Sequence, residues 1–103
     1  MSKKQYLIKI SDLDRIRVEL EIAKGKVENF IVQLETLFAG KWRHVVRYNY
    51  SHSFPHRDLI FIDGKKSKEK IYENNLSKVV NLAIKELKRN WKKYLWRCGY
   101  EKK

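Results

Sequence analysis

A chain of 103 residues, 43% of them hydrophobic, is long enough for one domain with a buried core (residues 1–103) and too short for two. Its single cysteine, Cys98, excludes an intramolecular disulfide and suits a reducing compartment. The sequence contains no apolar run long enough to predict a signal peptide or a membrane span. We therefore expect a cytoplasmic protein without membrane contact.

The net charge of +12 is unevenly distributed along the chain. There are 11 basic and 8 acidic residues up to Gly64, and 13 basic and 4 acidic residues beyond it. A clustered field of one sign attracts polyanions, so nucleic acid is the first candidate partner and an acidic protein is the second. A solvated surface rich in Lys and Glu is the alternative that involves no partner.

Alternation of apolar and polar residues predicts the first two strands of a sheet. The segment RIRVELEI alternates without a fault, which indicates a strand over 14–23 with one buried and one solvated face. A turn at Gly25 leads to its hairpin partner over 26–36. Residues 5–10, QYLIKI, have the composition of a short strand or an arm.

Two further strands are predicted over 41–50 and 56–63, joined by the loop SHSFP. Strict alternation in the first of them gives two mixed faces, one with Trp42, His44, Val46, Tyr48 and Tyr50 and the other with Arg43, Val45, Arg47 and Asn49. Neither face is clearly the buried one, which suggests a functional face. The run KKSKEK that follows is predicted to be a charged loop.

Apolar residues at three- and four-residue spacing predict one helix over 71–96. Asn74 or Asn75 would cap the helix if it begins later than Ile71, and Cys98-Gly99 marks its end. The predicted fold is therefore α+β, a four-stranded antiparallel meander with the C-terminal helix packed on one face. The other face would be open, lined by Arg15, Arg17, Arg43, Arg47 and, depending on register, Arg57.

Potentially reactive side chains concentrate between Tyr48 and Asp58. The spacing of His52 and His56 suits a metal on a helix, but Pro55 argues against a helix there, so no metal or other cofactor is expected. Two interpretations stay open. The histidines orient the loop through hydrogen bonds, or they act as general acid and base in metal-independent RNA cleavage, with arginines on the phosphate.

The segment RYNYSHSFPHRD resembles a pattern in the TumE-like toxins of toxin–antitoxin pairs and in related small domains. The resemblance covers residues 42–96, with two departures: Asn49 stands in the place of the Asp of an Arg-Tyr-Asp motif, and Asp58 stands in the place of the last histidine of His-Arg-His. It implies a small toxin-like protein that acts on RNA rather than DNA and is neutralised by a cognate partner such as an antitoxin. The positions carried over are Arg47, Tyr48, His52 and His56.

These observations lead to one principal hypothesis, a small basic ribonuclease. The candidate catalytic residues are His52, His56 and Tyr48, and the candidate nucleic-acid-binding residues are Arg47, Arg57, Arg43, Lys88 and Lys92. The alternatives are a non-catalytic nucleic-acid-binding module and a subunit that docks an acidic protein. A homodimer is compatible with each of these.

Overall fold

The computed structural model describes residues 1–51 and 53–100. Within them an antiparallel sheet carries its strands in chain order and is followed by one C-terminal helix. The elements are β1 (Ser2–Ser11), β2 (Asp14–Ala23), β3 (Lys26–Phe38), β4 (Lys41–Ser51), β5 (Phe54–Ile60), β6 (Lys66–Lys70) and α1 (Leu76–Arg97). The predicted α+β class, with the helix packed on an antiparallel sheet, is confirmed.

The predicted number of four strands is wrong, because the described part of the chain forms a six-stranded sheet. The additional strands are β1, which pairs along β2, and β6, which pairs with β5. The run KKSKEK is therefore not a loop: all five residues of β6 are exposed, so no alternation of burial reveals the strand. Lysines on a short outer strand are typical of edges that resist pairing with another chain.

The hydrophobic core lies between α1 and the centre of the sheet. Ile16, Leu34 and Val46 are aligned across β2, β3 and β4, and each is fully buried. They belong to the same core cluster as Ala83 and Leu87 of α1, which are also fully buried. The face of the sheet that carries these apolar side chains is called the helix face below, and the opposite face is called the open face.

A bulge in β4 explains why neither of its faces was clearly apolar. The register runs from Leu34 opposite Val46 to Glu35 opposite His44, so Val45 is an extra residue. An extra residue reverses the alternation on its far side. Trp42 and His44 therefore share the open face with Arg47, whereas Arg43 shares the helix face with Tyr48.

The helix begins at Leu76, later than predicted, and Asn75 is its N-cap. The side-chain oxygen of Asn75 accepts a hydrogen bond of 3.2 Å from the backbone N–H of Lys78. We expect Asn75→Ala to lower the free energy of unfolding by about 1 kcal/mol, because this N–H loses its partner. Urea unfolding measures the change, and Asn74→Ala is the matched control. Equal stability of Asn75→Ala and the control would contradict the capping role.

Candidate functional site

The pairing of β4 with β5 divides the predicted site residues between the two faces of the sheet. Tyr48 lies opposite Arg57, and both side chains are on the helix face. The neighbouring pair, Arg47 opposite Asp58, is on the open face together with His56. One ligand therefore cannot contact Tyr48 and His56 from the same side, and Arg47 and Arg57 are not neighbours.

The turn between β4 and β5 is shorter than the predicted loop. Ser51 pairs with Phe54, so two residues connect the strands, and Ser53 adopts a positive φ of 70°. Pro55 lies within β5, where its carbonyl accepts a hydrogen bond of 2.9 Å from the Ile71 N–H. His52, a predicted catalytic residue, falls outside the described residues.

His56 is a buried side chain of the open face, only 2% exposed. Its Nε2 lies 3.7 Å from Asp58 Oδ2, and the Phe54 ring centroid is 5.8 Å from its own. Within residues 1–51 and 53–100 its Nδ1 has no hydrogen-bond partner. In this conformation His56 can orient β5 and its neighbours, but it does not reach a ligand in solution.

A polar network covers the centre of the open face around the buried carboxylate of Glu35. Arg15 Nε donates to Glu35 Oε1 at 2.7 Å, and Arg17 Nε donates to Oε2 at 3.1 Å. Gln33 donates to the same carboxylate and accepts from Arg47 Nε at 3.0 Å. Burial raises the pKa of Glu35, but hydrogen bonds from Arg15, Gln33 and Arg17 outweigh burial, so its pKa lies below the ordinary 4.5.

The helix face carries a second polar cluster in a crevice of about 440 Å³ between α1 and the β5–β6 edge. Arg57 is at its centre. The Arg57 Nη1 donates to Tyr94 Oη at 2.9 Å, and Nη2 donates to Glu69 Oε2 at 2.5 Å. Tyr94 in turn donates to Glu86 Oε1, which lies 3.8 Å from Arg57 Nη1. The crevice thus joins a cation, a phenol and a carboxylate.

The protonation states in this crevice are well defined. Burial raises the pKa of the Tyr94 phenol, and its bond to the Glu86 carboxylate raises it further. Burial also raises the pKa of Tyr48, although Arg57 opposes the shift. Both phenols therefore keep their protons at neutral pH and can donate them.

A kink in α1 helps to place the carboxylate. Asn90 leaves helical geometry, with φ −118° and ψ 16°, and its side-chain Nδ2 donates to Glu86 Oε2 at 2.9 Å. Glu86 therefore has one oxygen held by Asn90, while the other accepts from Tyr94 and faces Arg57. Such fixed geometry is what a reacting group needs.

A basic stripe runs along the solvent side of α1 above the crevice. It consists of Leu82, Lys85, Arg89, Lys92 and Trp96, which recur at three- and four-residue spacing and are all exposed. Leu82 is 62% and Trp96 is 70% exposed, so neither belongs to the core. Lys85 and Arg89 also line the crevice. Lys88, a predicted binding residue, is exposed beside the stripe.

The last predicted binding residue, Arg43, lies elsewhere on the helix face. Its guanidinium carbon is 5.8 Å from the centroid of the Phe38 ring, and Phe38 packs edge-on against Tyr100 at 5.3 Å. Arg43 is therefore a neighbour of the C-terminal end of α1 rather than of the crevice.

Three polar residues that surround Arg57 are not among the predicted site residues: Glu69, Glu86 and Tyr94. By its spacing Tyr94 belongs to the apolar residues that predict the helix, and Glu69 lies in the run KKSKEK, which predicts a charged loop. The sequence does indicate that Glu86 and Tyr94 lie near each other, because Glu86, Asn90 and Tyr94 follow at four-residue spacing and so share one side of a helix. Their contact with Arg57 depends on the register of β5, which this spacing does not give.

The fold and its crevice define a class: an antiparallel meander backed by one C-terminal helix, with a polar cluster between helix and sheet. The chain belongs to the family described as a domain of unknown function (DUF7718), whose model matches residues 1–103. No curated protein and no solved structure matches the chain.

The described residues contain no group of three His, Cys, Asp or Glu side chains that could hold a metal ion. They also contain no helix that is both long and apolar enough to cross a membrane.

Proposed function

We propose that this protein binds RNA along the basic stripe of α1, with a phosphate group at the crevice. The supporting observation is the arrangement of Lys85 and Arg89, which belong to the exposed stripe and also line the crevice that contains Arg57. Lysine and arginine contribute attraction to the phosphate backbone, and an exposed indole such as Trp96 provides a stacking surface for a base. The net charge of +12 adds long-range attraction.

The double variant Lys85→Ala/Arg89→Ala tests the binding surface. We expect about tenfold weaker binding of a labelled RNA oligonucleotide near 0.1 M salt, because two phosphate contacts are lost. The slope of log K against log salt should become shallower by about 1.4, at about 0.7 for each contact with a single strand. Fluorescence anisotropy over a salt series measures both quantities.

The control is Lys4→Ala/Lys24→Ala, which removes the same charge from exposed residues of β1 and the β2–β3 turn. If only the total charge mattered, the two double variants would bind RNA equally. Equal affinities and equal slopes would therefore remove the stripe as the binding surface.

Metal-independent cleavage of the bound RNA is a second candidate function, favoured by the contacts among Arg57, Tyr94 and Glu86. Here the Glu86 carboxylate takes the proton of the 2′-hydroxyl as its oxygen attacks phosphorus. Glu86 then gives this proton to the departing 5′-oxygen, while the buried Tyr94 holds the carboxylate in place through its hydrogen bond. Arg57 stabilises the charge that develops on the phosphoryl oxygens. The products are a 2′,3′-cyclic phosphate and a 5′-hydroxyl.

A toxin-like role with a cognate partner, in the cytoplasm, completes the proposal. It is supported by the resemblance of RYNYSHSFPHRD and by the open face, which leaves Arg17, Arg47 and Trp42 at the surface of the sheet opposite the crevice. An acidic, antitoxin-like protein encoded beside this one would fit such a face. Absence of binding between this chain and the product of the adjacent gene would remove the pairing.

A further inference from the structure

A groove of about 840 Å³ lies at the end of the sheet where the helix begins. The turns of two hairpins and the segment that precedes α1 form its walls. Its lining includes three aromatic side chains, two lysines and a carboxylate, namely Tyr50, Phe54, Tyr72, Lys26, Lys70 and Glu28. This combination of rings and cations is unlike the centre of the crevice, where Arg57 is paired with Glu69 and Glu86.

Lys70 is a cation held by rings rather than by a carboxylate. Its Nζ lies 4.9 Å from the Phe54 ring centroid and 5.4 Å from that of Tyr72. The ion pairs found among the described residues do not include Lys70. An ammonium in this position is attracted to the ring faces and still has donors available for a phosphate oxygen.

Tyr72 presents its ring to the solvent, with 89% of the residue exposed. It follows Ile71, whose backbone N–H donates to Pro55, so the chain beside the ring is tied to the sheet. The ring contributes little to the core of the described structure. An anchored, exposed aromatic ring beside a cation suits stacking on a flat heteroaromatic group.

The groove and the crevice are neighbours, because Ile71 lines both of them. Lys70 pairs with His56 and so lies on the open face, whereas Arg57 and Glu69 lie on the helix face. A polymer that leaves the crevice therefore has to pass Ile71, beyond the end of β6, to reach Lys70.

We propose that this groove binds an unpaired nucleobase, stacked on Tyr72, with its phosphate on Lys70. The inference rests on the RNA binding proposed above and names its substrate class: single-stranded RNA rather than duplex. In a duplex the internal bases are stacked on each other and paired, so they do not present a free face to Tyr72. In a single strand every base offers one.

The test uses three labelled RNA probes of one sequence: the single strand, its duplex, and single strands with an abasic residue at successive positions. Wild type, Tyr72→Ala, Tyr72→Phe and the control Tyr6→Ala, an exposed tyrosine of β1, are compared by anisotropy. Tyr72→Ala is expected to bind the single strand on the order of tenfold more weakly, whereas Tyr72→Phe keeps its ring and its affinity. The salt slope should not change, since no charge is removed.

The abasic probes show whether ring and base meet. At one position the abasic residue should weaken binding by wild type, with little further loss for Tyr72→Ala, because both changes remove the same contact. Equal binding of single strand and duplex by wild type, or equal affinity of Tyr72→Ala and Tyr6→Ala for the single strand, overturns the inference while RNA binding stands. Failure of wild type to bind any of the probes overturns the proposed function and the inference together.

Discussion

Replacing Arg57 by alanine is expected to lower the rate of RNA cleavage by about a hundredfold or more, the usual effect of removing one donor that stabilises charge in a transition state. Arg57 lies 3.8 Å from the Glu86 carboxylate, which moves the proton in the proposed mechanism, and it donates to Tyr94, which holds that carboxylate in place. The measurement is a time course with end-labelled RNA in the presence of a chelator, with the product ends identified.

His56→Asn is the matched comparison for Arg57→Ala, because the two proposed sites predict opposite results. The buried His56 lies on the open face, so the crevice mechanism predicts cleavage close to the wild-type rate. Circular dichroism and thermal unfolding establish that each variant is folded, and Arg57→Lys provides a variant that keeps the charge. A folded His56→Asn protein without activity, beside an active Arg57→Ala, would move catalysis to the open face. No cleavage by wild type would leave RNA binding as the activity.

Replacing Glu35 by glutamine is expected to lower the free energy of unfolding by about 2–3 kcal/mol at pH 7. The buried carboxylate neutralises Arg15 and Arg17, and glutamine cannot accept from both while it also accepts from Gln33. The estimate is below the usual cost of breaking a buried ion pair, because the arginine side chains are partly exposed. Glu19→Gln, on the same face, is the control and should change stability by less than about 0.5 kcal/mol.

The contribution of Glu35 to stability should depend on pH in a definite direction. Its pKa is lower in the folded protein than the ordinary 4.5, so the folded state favours the ionised form. The stabilisation is therefore fully present above about pH 4.5 and is lost as the pH falls through the folded pKa. Urea unfolding of wild type and Glu35→Gln from pH 7 to pH 3 should show a constant difference that shrinks below pH 4.5. A difference that grows with acidity would contradict this assignment.

Local patterns were sufficient for the parts of the fold in which burial alternates. The strand over 14–23 matches β2, since its apolar and polar residues alternate along the whole strand, and the alternative cap at Asn75 is confirmed. The sequence does not predict β6, because this exposed edge strand contains lysines and no alternating apolar residues. Its conformation depends on hydrogen bonds to β5.

Which residues of the candidate site lie side by side depends on the register between β4 and β5, and the sequence does not determine that register. Whether Arg57 lies beside Arg47 or beside Tyr48 is decided by the two-residue turn between Ser51 and Phe54. A shift of one residue would exchange the faces of Arg57 and His56. The contact of Arg57 with Tyr94 also spans 37 residues, so no local pattern contains it.

The extra residue at Val45 has a consequence for how this strand can change. Because of this residue, side chains an even number of positions apart lie on opposite faces when Val45 is between them. Tyr48 belongs to the crevice, whereas Trp42, six positions earlier, belongs to the open face. There the guanidinium carbon of Arg15 lies 3.8 Å from the centroid of the Trp42 ring. Deleting Val45 would place His44 directly before Val46, so the bulge would disappear while Arg43 stays opposite Thr36 and Trp42 stays opposite Leu37. The strand can therefore lose this one residue without changing which side chains form either surface, whereas the loss of two residues between Trp42 and Tyr48 would exchange the faces of those on one side.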